Sequence, residues 1–483
     1  MVGPVWAVAT LSADTGNFNI VARFDFIAGR ANWPFCALIV FLILTFFLGG
    51  GSRDDVQSLA ILRPLSLIIC GFALLTLRRE QVAAHKFLFG MTAVVFALIG
   101  LHLVPMPPTI WSALPGREII SEVDRVTQAG AVWRPISMVP NATWNALYSL
   151  FVPLAVLLLG VQLNREQRFQ LLYVVISLGL LSGLWGLMQA IGSPTSPLYL
   201  YRITMPGAAV GLFANRNHQA ILLAILLPAL VIYAISGVRT IEAAKQKGWT
   251  AVAIGVVLIP LILVTGSRAG LLLAIVALIF AGLLYRKPSI AVLGKRKATK
   301  ISPRIAIGAF AVLCLGALTI LMSRAEAFRR LMAPDQTEDL RFRVWGPIVE
   351  MAWKYFPVGS GVGSFVDVFK IDEPDSVLSP NYLNHAHNDW LEVFMTAGLP
   401  GIILLAIAVF AFGRSSLTAF QTCMSDGRAV LFSRLGAVVI ALLALGSVGD
   451  YPLRVPSLMC IFVIALLWLT GERQRSAKIA GGI

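Results

Sequence analysis

The sequence predicts an all-α polytopic membrane protein of about 12 transmembrane helices, a single membrane domain over residues 1–483. Three observations predict it. Hydrophobic residues make up 58% of the chain and charged ones 13%, whereas a soluble chain of this length would divide into domains joined by polar linkers. Apolar runs return at close intervals, several of them shorter than the ~20 residues a helix needs to cross the hydrocarbon layer. Lys and Arg are also divided unevenly between alternate connecting segments.

Twelve runs qualify as spans: Phe35–Gly50, Leu62–Leu77, Phe87–Val104, Asn145–Leu163, Phe169–Ile191, Gln219–Ile235, Thr250–Val264, Ala269–Tyr285, Ile305–Met322, Trp390–Phe412, Leu435–Val448 and Val455–Thr470. The seventh and eighth would read as one helix but for Thr265-Gly266-Ser267-Arg268, where Gly-Ser is turn chemistry and Arg is costly at mid-membrane. The first thirty residues carry Asp14, Asp25 and Arg30 and lack a basic leader, so the first apolar run is expected to act as an uncleaved insertion signal. Cys36, Cys70, Cys314 and Cys460 lie inside apolar runs with no zinc spacing and are expected to be packing residues.

With both termini placed in the cytoplasm, the inner side holds 23 Lys and Arg against 7 Asp and Glu, and the outer side 16 against 17, with Arg63 and Glu392 counted at the outer ends of their spans. The formal net charge of +15 is therefore a topology signal, with basic loops facing anionic headgroups, and not a nucleic-acid footprint. Three outward segments are long: residues 105–144, 192–218 and 323–389. The third is expected to contain a short amphipathic helix near Leu340–Phe356, then a bend at Pro357-Val358-Gly359 and Gly361-Val362-Gly363.

Few residues here can carry chemistry. Arg216 and Arg268 stand at the outer ends of spans, where a charge is expensive unless paired or hydrated. A lone arginine there can snorkel to the headgroups. Two facing one cavity would suit a pyrophosphate, because the guanidinium is a planar fork of donors that stays protonated. Gly207 and Gly211 would let backbone approach a ligand. His387 precedes Asp389-x-x-Glu392, a helix-start signature ahead of an apolar run. It can be a satisfied interfacial histidine. Alternatively, near its ordinary pKa of ~6.5 and disfavoured as imidazolium by the helix N-terminus, it is a competent general base. Pro400 is expected to kink or restart that helix. His385 is the weaker candidate, and no third ligand stands at metal-site spacing. Arg216, Arg268 and His387 come from three distant parts of the chain, and the charge count puts all three on the outer side.

Four stretches give the chain a resemblance to the bacterial O-antigen ligase and O-antigen polymerase superfamily, of the ligase type. They are Gly211-x-Phe213-x-Asn215-Arg216-Asn217-His218; Ser267-Arg268-Ala269-Gly270-Leu271-Leu272; Arg341 and Trp345 followed by Pro357, Gly361, Gly363 and Phe365; and His387-Asn388, nine residues, then Gly398-x-x-Gly401. Asp450-Tyr451-Pro452-Leu453-Arg454 is also similar to the family. The resemblance implies a twelve-span fold similar to the GT-C glycosyltransferases, with a large periplasmic loop between spans nine and ten. It implies an undecaprenyl-pyrophosphate-linked glycan as donor, a hydroxyl of lipid A–core or another glycan as acceptor, and no metal or other cofactor. The enzyme would lie in the bacterial inner membrane with its site on the periplasmic face. Carried over by motif, His387 deprotonates the acceptor and Arg216 and Arg268 hold the pyrophosphate, with inversion at the anomeric carbon. Arg341, Asn217 and Asn388 are the expected substrate-binding residues. A polymerase joining lipid-linked repeats, or transfer to a protein, would use the same chemistry. A lipid-linked glycan flippase is the non-enzymatic alternative, but it should carry charges along its spans, and these runs are nearly free of charge.

Overall fold

The computed structural model describes residues 33–238, 240–286, 341–378, 382–422 and 427–471. The chain enters as α1 (Trp33–Leu48), α2 (Leu59–Thr76), the short α3 (Arg79–Ala84) and α4 (Lys86–Leu101). A connecting region follows with β1 (Pro105–Met106), α5 (Pro108–Ser112), α6 (Glu118–Thr127) and β2 (Arg134–Pro135), the two strands pairing antiparallel. Next come α7 (Pro140–Ser149), α8 (Phe151–Gly160), α9 (Arg165–Ile191), α10 (Arg216–Ile235), α11 (Ile241–Val264) and α12 (Arg268–Leu284). The last group is α13 (Trp345–Lys354), α14 (Phe365–Phe369), α15 (Asp389–Gln421), α16 (Arg428–Gly449) and α17 (Pro456–Thr470).

Among the described residues, 7 segments are long and apolar enough to cross a membrane: α2, α7 with α8, α9, α10, α11, α15 and α16. The helices α1, α4, α12 and α17 are apolar but shorter. The chain is thus a polytopic helical membrane protein. Each predicted span has a helix at its position except Ile305–Met322, which lies outside the described residues, as do parts of the expected large loop. Bounds differ where polar residues continue a helix into water. Expected at Thr250, α11 starts at Ile241, where the Thr240 side chain caps it by accepting from the Ala243 amide. Its first turns carry Glu242, Lys245 and Lys247, which a hydropathy window rejects.

The centre of the bundle is α10, which packs on α9, α11, α12 and α16. After its first turn it is apolar all round, the pattern of a helix with no wet face. Its contact with α12 is close because Gly270 lacks a side chain: a Cβ there would lie 2.2 Å from the Cβ of Ala220. The first turns of α10 and α12, bearing Arg216 and Arg268, are therefore neighbours.

A second apolar core sits at the end of the bundle that carries these first turns. Ile348 and Met351 of α13, Phe365, Val368 and Phe369 of α14 and Met395 of α15 form it. The amphipathic helix expected near 340–356 is α13. The α15 backbone breaks at Gly398 (φ 56°, ψ −147°), two residues before Pro400. Pro400 has no N–H to give the Thr396 carbonyl, and the break strands the Met395 carbonyl as well. The Gly-rich bend takes their place: the Gly361 amide donates to Thr396 O at 2.9 Å and the Ser360 amide to Met395 O at 3.1 Å, while the Leu399 amide donates to Pro357 O at 2.8 Å. The 105–144 region closes over the same bend. Arg117, fully buried, donates to the carbonyls of Pro115, Ile136 and Gly359 at 2.9, 2.8 and 2.9 Å.

Candidate active site

Three helices begin at one place, and each has its own cap. Asn215 Oδ1 accepts from the Asn217 amide (2.9 Å) to start α10. Ser267 Oγ accepts from the Gly270 amide (2.9 Å) to start α12. Asn388 Oδ1 accepts from the Trp390 and Leu391 amides (3.1 and 3.2 Å) to start α15. The helix start read from Asp389-x-x-Glu392 is therefore present, but the cap is Asn388, one residue earlier. Asp389 is drawn away by Arg454, whose Nε donates to it at 2.8 Å.

The caps are tied together through Asn217 and Asp450. Ser267 Oγ donates to Asn217 Oδ1 at 2.7 Å, and Asn217 Nδ2 donates to Asp450 Oδ2 at 2.7 Å. Asp450 is also approached by His387 Nδ1 at 3.4 Å, His218 Nε2 at 3.5 Å and Arg341 Nη1 at 3.7 Å. Of the residues expected at the site, Asn217, Arg341 and His387 thus meet on one carboxylate. Arg216 and Arg268 occupy the first positions of α10 and α12, next in the chain to Asn217, which holds that carboxylate, and to Ser267, which holds Asn217. The Asn217 amide group is engaged within the protein on both atoms. Gly211 makes its close approach to Gln219 and Ser182, with a Cβ 2.3 Å from Gln219 Oε1, so the contact it permits is internal packing.

Asp450 stands at the centre of this cluster, a place the sequence did not give it, although its motif was legible. Burial alone would raise its carboxyl, but His218, His387 and Arg341 outweigh that and hold it well below the usual carboxylate range. It is an anion at neutral pH. His387 is pushed down to about 4 by burial first, then by Arg341, against the opposing pull of Asp450. It is a neutral imidazole. An ionised carboxylate facing Nδ1 selects the tautomer with the proton on Nδ1 and leaves the lone pair on Nε2. The backbone of His387 is left-handed (φ 49°), a strained state for a non-glycine residue that the surroundings must enforce. Tyr451 packs between the histidines, its ring centroid 4.4 Å from His385 and 5.0 Å from both His387 and His218.

Position N1 is the wrong place for a cation as far as the helix dipole is concerned, and a good place for an anion. Two adjacent N-termini that begin with arginines, joined through Asn217 and Asp450 to a neutral histidine, are suited to anion binding and proton acceptance.

Residues 253–406 match the family model for O-antigen ligase. The match runs from α11 into α15 and takes in Arg268, Arg341 and His387, so the resemblance read from the sequence is borne out over this stretch. Arg216 lies outside it, as does Asp450, which the structure joins to His387 and Arg341. Members of the O-antigen ligase family are membrane enzymes of glycosyltransferase type. A search of curated proteins gives no match.

A cavity of about 1840 Å³ adjoins the site. Asn384, His385, Asp389, Glu392 and Arg454 line one end, and apolar side chains such as Met91, Phe96, Leu150 and Leu404 line its length.

Proposed function

We propose that this protein is an O-antigen ligase-type glycosyltransferase, moving a glycan from undecaprenyl pyrophosphate to a hydroxyl of a lipid A–core sugar. The observation that carries the proposal is the His387–Asp450 pair beside two helix N-termini bearing Arg216 and Arg268. His387 Nε2 takes the acceptor's hydroxyl proton, and Asp450 stabilises the imidazolium that forms. The acceptor oxygen attacks the anomeric carbon from the side opposite the pyrophosphate. The carbon–oxygen bond to the pyrophosphate breaks and its electron pair leaves with that oxygen. Arg216, Arg268 and the helix N-termini stabilise the developing charge, and Arg341 adds a further cation. Pyrophosphate is already a good leaving group, so the residues needed are a base and anion donors, and the reaction runs without metal and with inversion. The two N-terminal asparagines have complementary tasks: Asn217 holds Asp450 in place, and Asn388 fixes the start of α15 beside the acceptor.

The site faces the periplasm of the inner membrane in this reading, with both termini in the cytoplasm, and the Lys and Arg distribution supports that orientation. The apolar cavity suits the lipid part of a membrane-borne substrate. A polymerase would use the same residues on a lipid-linked acceptor, and the glycan of cells lacking the protein separates the two. Long polymer left on its carrier lipid is the expected result. Loss of long polymer would instead make the protein a polymerase, and unchanged surface glycan would refute both.

A further inference from the structure

Arg454 closes a buried network that no step of the transfer uses. Its Nε donates to Asp389 Oδ1 at 2.8 Å, and its Nη1 lies 3.1 Å from Glu392 Oε1. Asp389 Oδ2 accepts from Ser447 Oγ at 3.1 Å. Glu392, 1% exposed, accepts the Ala386 amide on Oε2 at 2.9 Å, and its Oε1 faces His385 Nδ1 at 3.3 Å. The Nε2 of His385 meets Ser52 Oγ at 3.2 Å.

The base and its carboxylate sit on two irregular segments, one ahead of α15 and one ahead of α17. Arg454 follows Asp450 by four residues, and Glu392 follows His387 by five. Glu392 clasps the amide of Ala386, the residue before His387, where the chain must enter its left-handed turn. An arginine that grips Asp389 and Glu392 together therefore locks the Asp450 segment to the His387 segment. We propose that Arg454 is a positioning residue that sets the register of His387 on Asp450, with Glu392 as its counterpart on the His387 side. The assignment rests on the proposed function only for what His387 does with its proton. Its physical content, the alignment of imidazole and carboxylate, stands without it.

The groups facing His387 are Asp450, which favours its protonated form, Arg341 and His385, which disfavour it, and the ring of Tyr451 packed against it. His218 acts through Asp450, and Asp389, Glu392 and Arg454 surround His385. Letting Asp450 drift therefore lowers the pH at which His387 titrates. Two readouts on the full-length protein in detergent test this: the pH profile of glycan transfer, and the titration of the ¹⁵N-labelled His387 ring by NMR.

In Arg454→Met we expect kcat to fall tenfold or more, donor KM to stay within twofold, and the acid limb and His387 titration both to move to lower pH. Arg454→Lys should recover part of the rate. Glu392→Gln keeps an oxygen for the Ala386 amide and should give the same shift, which covers a methionine variant that does not fold. Wild-type titration in both variants overturns the proposal, and so does lower activity with an unmoved acid limb, since that marks a fold defect. A wild-type protein that transfers no glycan would refute the proposed function, and the NMR titration would still decide the role of Arg454.

Discussion

At pH 6 a free imidazole is mostly protonated and has no lone pair to offer. His387 differs because burial, and Arg341 after it, push its pKa down to about 4. A base works only when unprotonated, so activity is lost as pH falls through the pKa of the base in the site. The acid limb of kcat/KM should therefore lie near pH 4 and not near the ordinary histidine value. In Asp450→Asn the group that favours imidazolium is gone. The limb should move lower still, and kcat should fall by roughly 10², within the range for a positioned base. A limb that stays put in Asp450→Asn would separate the two residues. His387, Arg216 and Arg268 were legible in the sequence because each is a costly residue at a membrane edge. The pairing of His387 with Asp450 was not, since Asp450 also holds Asn217, 233 positions away, and only the fold brings such residues together.

Among the elements, α15 shows why the motif's Gly398 stands where it does. The break at Gly398 needs a positive φ, and a Cβ there would lie 2.2 Å from the Pro357 carbonyl oxygen. The freed carbonyls of Met395 and Thr396 then receive the Ser360 and Gly361 amides. Gly398→Ala should therefore lower thermal stability, by roughly 1–3 kcal/mol for the strained backbone and more for the clash. Gly413→Ala lies in the same helix with open space around its Cβ position, and should be neutral or stabilising by about 0.5–1 kcal/mol. Equal effects from the two, measured by thermal unfolding in detergent, would contradict this account of the kink. Pro400 and the Gly-rich bend were both readable in the sequence. What the sequence did not show is that they serve each other, or that Asn388 caps α15 in place of Asp389. Both residues are good caps, and the choice was decided by Arg454, a distant partner.

Across the whole molecule, hydropathy located the helices well because a bilayer allows few other ways to satisfy the backbone. It located their polar ends poorly, as at Ile241, because a helix continues into water after its apolar run has stopped. The connecting regions were the least legible. Arg117 binds the 105–144 region to Gly359 through backbone carbonyls, which leave no trace in side-chain pattern. The result is an apolar bundle whose central helix, α10, delivers Arg216 to the end where the other polar groups collect. This end of the bundle is where we propose that a glycan is transferred, with His387 as base. The direct measurement is transfer from a polyprenyl-pyrophosphate glycan to acceptor by purified wild-type and His387→Ala protein in lipid vesicles, with the anomeric configuration of the product read by NMR. An inverted linkage is expected from the wild type and a rate lower by about 10²–10⁴ in the variant, with donor binding retained. A retained linkage, or a His387→Ala protein as fast as the wild type, would contradict it.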